Sequence, residues 1–382
     1  MIRKVLIAPD SFKGTLSARQ VTDTIAAEVA AMYPDCEIEK LPIADGGEGS
    51  VETIIAAVGG RLEHAQVLSP DGRQIDAHFG VTADSGQAPN HGSKAVLEVA
   101  QSSGITRQLG LHPMTSSTYG FGQLIMAALD LGLRDFFLCI GGSASTDGGC
   151  GMAAALGVRF FGDNGESFVP NGATLQKIAC IDMNDIDKRV HESNFTVMCD
   201  VTNPLFGING AAHVYAPQKG ATAEEVHQLD AGLLHLSEIC LQTFGSNYAD
   251  VPGAGAAGGL GFGCMTMLQA QLESGIDAIL DLCDFEKRLV GTDLIITGEG
   301  KLDSQSFSGK VLSGILQNRA DVPVISLCGV CDLGDMSDTP EDLLRKHNLT
   351  IFEISEGISV EESLANPEQY LRQAARKALT AL

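Results

Sequence analysis

Basic residues are scarce in this 382-residue chain: 25 Lys and Arg stand against 48 Asp and Glu, for a formal net charge of -23. A nucleic-acid backbone or an anionic membrane has to be met by Lys and Arg, so neither partner is expected. Long apolar runs are missing as well. No stretch reaches the roughly 18 uninterrupted apolar residues of a membrane span. In the opening MIRKVLIAPD, Pro9 and Asp10 end the apolar run before it has the length of a signal-peptide core, and a cytoplasmic protein is the expectation. The nine histidines lack metal-ligand spacing, which takes weight from zinc enzymes and from Ser-His-Asp hydrolases. A Walker A sequence is absent, because Gly309-Lys310 is followed by Val311 and has no upstream glycine partner, and no protein-kinase motif set occurs. Ten cysteines are placed mostly in apolar segments and read as reduced core thiols. Cys328 and Cys331 form a CxxC, but no second pair accompanies it.

What is present is the composition of a globular enzyme: 44% apolar and 19% charged residues, with a mean hydropathy of +0.11. The chain exceeds the roughly 250–300 residues at which one core stops growing, so two domains are expected. Residues 4–8 (KVLIA) read as an apolar strand and 17–33 as an amphipathic helix opened by Ser17. EIEKLPI at 37–43 and a helix near 49–58 repeat the unit. Near the other end, 293–297, 323–328 and 350–354 are short apolar strands, each followed by helical periodicity. Five strands alternating with helices predict a flavodoxin-like, doubly wound parallel α/β sheet of order 2-1-3-4-5. The intervening stretch is too long for a connection and reads as a second, inserted α/β domain. The expected boundaries are 1–60 with 286–382 for the interrupted domain and 61–285 for the insertion. The insertion opens with a hairpin around Pro70-Asp71-Gly72 and later returns to strand–helix units with strands at 135–140 and 195–199.

Ligands of parallel α/β sheets collect beyond the carboxyl ends of strands. Those positions here carry PDSFKG, ADGGEG, GGSASTDGG, DVTNP and GEGKLDSQS, each with at least one Asp and none with a His. Carboxylates are hard ligands for magnesium, Lys is a point positive charge, and Gly and Ser let backbone N–H groups approach phosphate oxygens. Phosphoryl transfer needs those three services, together with a carboxylate that accepts the proton of the attacking hydroxyl. Each loop alone is also an ordinary turn or helix cap; five together point to chemistry. Gly253, Gly255 and Gly258 have dinucleotide-fingerprint spacing, but the segment SNYADVP before them is no strand. A helix opening there, at about 256–272, leaves phosphate binding and tight packing as equal readings.

The series APDSFKG (8–14), ADGGEG (44–49), GGSASTDGG (141–149), CDVTNPL (199–205), PQKGA (217–221), PGAGAAGG (252–259) and TGEGKLDSQS (297–306) resembles the motifs of the bacterial type I glycerate kinases, in the family's order. The resemblance implies a transferase using ATP with Mg2+ to phosphorylate D-glycerate, commonly to 2-phosphoglycerate. It departs from the family pattern at Lys301, where Arg is frequent, at Ser145, where Thr is frequent, and at Leu312, where Pro is frequent. An interdomain cleft is the expected location of the reaction. Asp200, directly after an apolar strand, is the first candidate for the general base, and Asp10 the second; Lys13 is a candidate for neutralising an anionic group. Asp45 and Glu48 are candidate magnesium ligands. Ser143, Ser145, Asp147, Gly148, Gly149, Asn203, Gly255, Gly258, Glu299, Lys301 and Asp303 are candidates for holding substrate or phosphate. The competing readings are an NAD-dependent dehydrogenase built on the 253–258 glycines and a non-enzymatic sensor of a sugar-acid phosphate. D-glycerate and ATP are the expected partners, and a homo-oligomer is compatible with the chain.

Overall fold

The computed structural model describes residues 2–12, 14–43, 47, 49–83, 92–307, 309–334 and 339–382. The chain divides into two compact units, one of Met1–Asp45, Ala56–Val58 and Gly275–Leu382, the other of Gly46–Ile55 and Gly59–Ser274.

The first unit is built on a five-stranded sheet of Lys4–Ile7, Glu37–Lys40, Leu294–Leu302, Val324–Cys331 and Leu349–Glu353. Every pairing is parallel, and in the unit's own chain order the strands lie 2-1-3-4-5. Both faces are covered, so the central strands read as unbroken apolar runs such as VLI at 5–7. The helix Ala18–Met32 begins in a capping box, with Ser17 accepting from the Gln20 N–H and the Gln20 side chain accepting from the Ser17 N–H. Its Val21, Ile25 and Val29, four residues apart, bury one stripe against Leu371, Ala375 and Ala378 of the helix Pro367–Thr380 and the sheet below. Glu28, 2% exposed, lies on the same side and is ion-paired by Arg372 at 3.1 Å and by Arg376.

One expectation needs correction here. The loop anticipated after residue 297 is in large part strand, for Leu294–Leu302 runs nine residues and pairs Glu299 with Cys328 and Leu302 with Cys331. Two glycines permit it. A Cβ on Gly298 would stand 2.5 Å from the Leu327 carbonyl oxygen, and one on Gly329 would stand 2.4 Å from that of Gly300. The loop proper therefore starts at Asp303.

The second unit holds a six-stranded sheet, in spatial order Gln271–Glu273, Asn194–Met198, Asp135–Cys139, Lys94–Glu98, Gln74–Thr82 and Gly60–Leu68. The first four run parallel; the last two form the expected hairpin, turned through Gly72 at φ +80°. A small antiparallel sheet of Arg159–Phe161, Ser167–Phe168 and Cys180–Asp182 is additional. Phe79, Phe121, Phe136 and Phe262 are wholly buried in this unit's core, each worth about 2–3 kcal/mol of burial. The 22-residue helix Ala223–Phe244 is capped by a Thr222/Glu225 box and stopped by Gly245 in the left-handed conformation.

The helix expected at 256–272 ends at Leu268, because Gln269 turns left-handed at φ 56° and residues 271–273 pair with Thr196–Met198 as a strand. Its first turn is also not helical. Ala257, Gly258 and Gly259 all have positive φ. Of the cysteines, Cys180 is exposed and Cys36, Cys199 and Cys331 are partly so, which corrects the core reading at those four positions; all ten are free thiols.

Candidate functional site

In the second unit the polar segment 141–149 follows the strand Asp135–Cys139 and turns through Gly142, Gly148 and Gly149 at positive φ. Asp147 at its centre is fully buried. Its Oδ2 accepts from the Thr118 N–H (2.8 Å), the Thr118 hydroxyl (2.8 Å) and the Gly151 N–H (3.3 Å), and its Oδ1 accepts from the Gly149 N–H (3.2 Å). The Thr118 hydroxyl in turn accepts from the Met152 N–H at 2.9 Å. Asp147 thereby ties the starts of the helices Tyr119–Asp130 and Cys150–Ala155 to one carboxylate. Burial pushes its pKa up, and the four hydrogen bonds oppose that.

Lys219, on the short turn Pro217–Lys219, is 3% exposed and reaches the same segment. Its ammonium donates to the Ser143 hydroxyl (3.0 Å) and to the Ser145 carbonyl (2.6 Å). Burial lowers its pKa to about 7, against the raising influence of Asp147. The hydroxyls of Ser145 and Thr146 are buried without a partner among the described residues.

The glycines expected to cradle phosphate are used differently. The Gly148 N–H donates to the Gly258 carbonyl at 3.1 Å and the Gly149 N–H to Asp147, so both amides are committed inside the protein. A Cβ on Gly258 would lie 2.1 Å from the Ser145 oxygen, and one on Gly255 would lie 2.2 Å from the Pro204 oxygen. Both glycines serve close backbone packing, and no strand precedes them.

Asp200 stands at the exposed end of the strand Asn194–Met198, where Ser274 donates to its Oδ1 at 3.5 Å. Asn203 braces the following loop, giving its Nδ2–H to the Asn209 carbonyl (2.8 Å) and accepting from the Tyr215 hydroxyl (2.6 Å). Glu98, which sequence reasoning missed, ends the strand Lys94–Glu98 fully buried and accepts from the N–H groups of Gly49 (3.1 Å) and Val51 (3.4 Å). A carboxylate closing an apolar strand was the signal. Lys219 was legible in the sequence as a lysine in the glycine-bearing segment PQKGA that could serve a small anion.

In the first unit a second polar group forms beyond the end of the strand Lys4–Ile7, along the far half of its neighbour Leu294–Leu302, which runs on past the Ile7–Ile296 pair. The half-buried Asp10 donates its N–H to the Gly298 carbonyl at 2.9 Å. Glu299 is buried, and its pKa rises to about 7: desolvation dominates, Asp10 and Asp303 add like charge, and the Ser306 hydroxyl and Lys310 pull the other way. Lys301 pairs with Asp332 at 3.0 Å and approaches Asp303 at 3.7 Å, while Lys310 lies 3.9 Å from Asp303. Four of the expected residues, Asp10, Glu299, Lys301 and Asp303, thus share one strand-end cluster, joined by Ser306, Lys310 and Asp332. Lys13, Asp45 and Glu48 lie outside the described residues. Among the described residues, no three His, Cys, Asp or Glu side chains are grouped as a metal site, and no helix is long and apolar enough to cross a membrane.

Residues 5–382 match the model of the glycerate kinase family. The chain is 38% identical to the glycerate kinase of Bacillus subtilis over 379 residues, which is 98% of this chain and 96% of that one. It is 39% identical to the glycerate 2-kinase of Escherichia coli over 330 residues, 85% of each. A crystal structure of the Salmonella typhimurium LT2 protein assigned as glycerate kinase 2 superposes with a TM-score of 0.84 at 36% identity, covering 100% of this chain and 98% of that one. With two strand-end clusters of carboxylates, lysines and hydroxyls and a match over nearly its whole length, the chain belongs to the glycerate kinase family.

Proposed function

We propose that the protein transfers the γ-phosphoryl group of Mg-ATP to a hydroxyl of D-glycerate and releases 2-phosphoglycerate. The observation that carries this reading is the cluster at Asp10, Glu299, Lys301, Asp303 and Lys310, where burial first, with the like charges of Asp10 and Asp303 added, raises the Glu299 pKa to about 7 and two lysines approach Asp303. Crowded anions with cations at their edge suit a reaction that is mostly positioning and charge neutralisation. The choice of the 2-hydroxyl is supported by the relative named glycerate 2-kinase.

Magnesium fits this donor set. The ion takes one or two carboxylates plus phosphate oxygens and needs no all-protein cage, and the mutual repulsion of Asp10, Asp303 and Glu299 is what a divalent cation would relieve. Asp45 and Glu48, by their sequence positions, are the proposed protein ligands. When bound, the cation would neutralise phosphate charge. Lys301 and Lys310, and Lys13 by its sequence position, supply positive charge for the anionic groups of the substrates.

Asp200 is the proposed base, since its exposed carboxylate at a strand end can meet a substrate hydroxyl. A second reading is favoured by Glu299, whose pKa of about 7 matches the proton-transfer task at neutral pH. Single-turnover transfer by Asp200→Asn and Glu299→Gln separates them: the true base loses about a hundredfold or more, and the other variant stays within a few-fold. Neither competing class gains support. The 253–258 glycines follow no strand and pack on backbone, and a pure sensor gains nothing from anions crowded around an anionic ligand.

The reading as a whole is tested by incubating the protein with ATP, magnesium and D-glycerate and offering the product to enolase. Conversion without phosphoglycerate mutase is the expected result. No ADP formation would sink it, and conversion only with the mutase would move the transfer to the 3-hydroxyl.

A further inference from the structure

Lys219 and the segment beside it present hydrogen-bond donors that nothing among the described residues receives. An ammonium has three N–H donors. Two are used, on the Ser143 hydroxyl and the Ser145 carbonyl, and the third meets no acceptor among the described residues. Because Ser143 Oγ already accepts from Lys219, its own proton must be given elsewhere, and no acceptor for it occurs among the described residues either. Ser145 Oγ and Thr146 Oγ1, both on fully buried residues, add two further unpartnered hydroxyls on the same segment. Buried polar groups are ordinarily satisfied, and a buried charge is costly unless matched. The ammonium makes no salt bridge among the described residues; Asp147 is the one titratable group that acts on it, and that carboxylate is already surrounded by four donors. A neutral side chain of the same length would fill the space at lower cost. The pattern is one buried ammonium beside three hydroxyls whose protons are free to be given, a group that can complement an oxyanion.

We propose that Ser143, Ser145, Thr146 and Lys219 form an oxyanion subsite, in which the Ser143 hydroxyl touches the anion and Lys219 is a positioning residue that aims the Ser143 proton and supplies the charge. This rests on the kinase reading above and deepens it. The anion is a carboxylate if it comes from glycerate and a phosphoryl group if it comes from ATP; the hydrogen-bond chemistry is shared. Lys219 adds a signature that a packing residue lacks. With its ammonium poised near pH 7, anion binding at higher pH must bring a proton with it.

The test uses the full-length protein with Lys219→Met, Lys219→Arg and Ser143→Ala, measuring the KM for D-glycerate and for ATP separately from pH 6 to 9. Losing a charge-assisted hydrogen bond is expected to raise one of the two KM values about tenfold or more. A rise for D-glycerate identifies the carboxylate, and a rise for ATP the phosphoryl group. In the wild type that KM should climb above pH 7, whereas in Lys219→Met it should be high and flat and in Lys219→Arg partly restored and flat. If Lys219→Met does not fold, Ser143→Ala carries the KM comparison alone. Both KM values within twofold of wild type in Ser143→Ala would overturn the subsite. Failure of the wild type itself to form ADP would instead overturn the kinase reading, so the two failures are distinct.

Discussion

Glu299 and Lys219 are buried ionisable groups brought to about pH 7 from opposite sides, and burial is the first cause in both. Their consequences for stability have opposite sign. Glu299 is raised from 4.5, so between about pH 4.5 and 7 the folded protein holds a proton that the unfolded chain releases, and stability is lost as pH climbs through that window. Lys219 is lowered from 10.5, so from about pH 7 to 10.5 the unfolded chain holds the extra proton and stability grows with pH. Each group contributes a slope of up to about 1.4 kcal/mol per pH unit inside its window. Denaturant melts of Lys219→Met against wild type should therefore diverge most below pH 7, where the variant is relieved of a buried charge, and converge toward pH 10. A constant offset at all pH values would show that the ammonium is not held near 7. Gly258 is read from contact distance and φ together: at φ +70°, with a Cβ meeting backbone at 2.1 Å, Gly258→Ala should cost about 3 kcal/mol or more in urea melts. An unchanged midpoint would contradict the close packing of residues 258 and 145.

At the scale of elements, the helices Ala18–Met32 and Pro367–Thr380 meet through Glu28, Arg372 and Arg376. The three groups are unequally solvated, since Glu28 is 2% exposed while the arginine side chains are 40% and 63% exposed. Removing both guanidiniums strands a buried carboxylate, which is expected to cost about 3–5 kcal/mol. Removing Glu28 lets the arginines turn to water. Arg372→Met with Arg376→Met should thus destabilise at least twice as much as Glu28→Met, and equal losses in thermal melts would refute the asymmetry. The strand Leu294–Leu302 teaches a related lesson about boundaries. Its first half was legible as an apolar run, but its second half, GEGKL, carries polar and glycine residues that read as a loop. What keeps it in the sheet is close approach to Val324–Cys331 through Gly298 and Gly329, a property of two strands together.

For the whole molecule, 48 acidic residues against 25 basic ones mean self-repulsion in the folded state. The repulsion weakens as the Debye length falls from about 30 Å at 0.01 M salt to about 8 Å at physiological ionic strength. The melting temperature should rise by a few degrees over that range of sodium chloride; a flat or falling curve would mean that local ion pairs, not net charge, govern the salt response. The sequence by itself determined the strand–helix alternation, the 2-1-3-4-5 sheet, the hairpin at Pro70-Asp71-Gly72 and the family, because apolar periodicity and turn chemistry are local and the motifs are contiguous. It also named Asp10, Glu299, Lys301 and Asp303, but as members of separate loops. Only the tertiary structure gathered those four at one strand-end cluster and spent the Gly148 and Gly149 amides inside the protein. It also turned Asp147 inward between two helix starts and carried Lys219 under Ser143, 76 residues away in the chain. The physical reason is that hydrogen-bond partners and burial are decided by which segments share space, and an amide, a carboxylate or an ammonium carries no mark in sequence of the neighbour that will claim it.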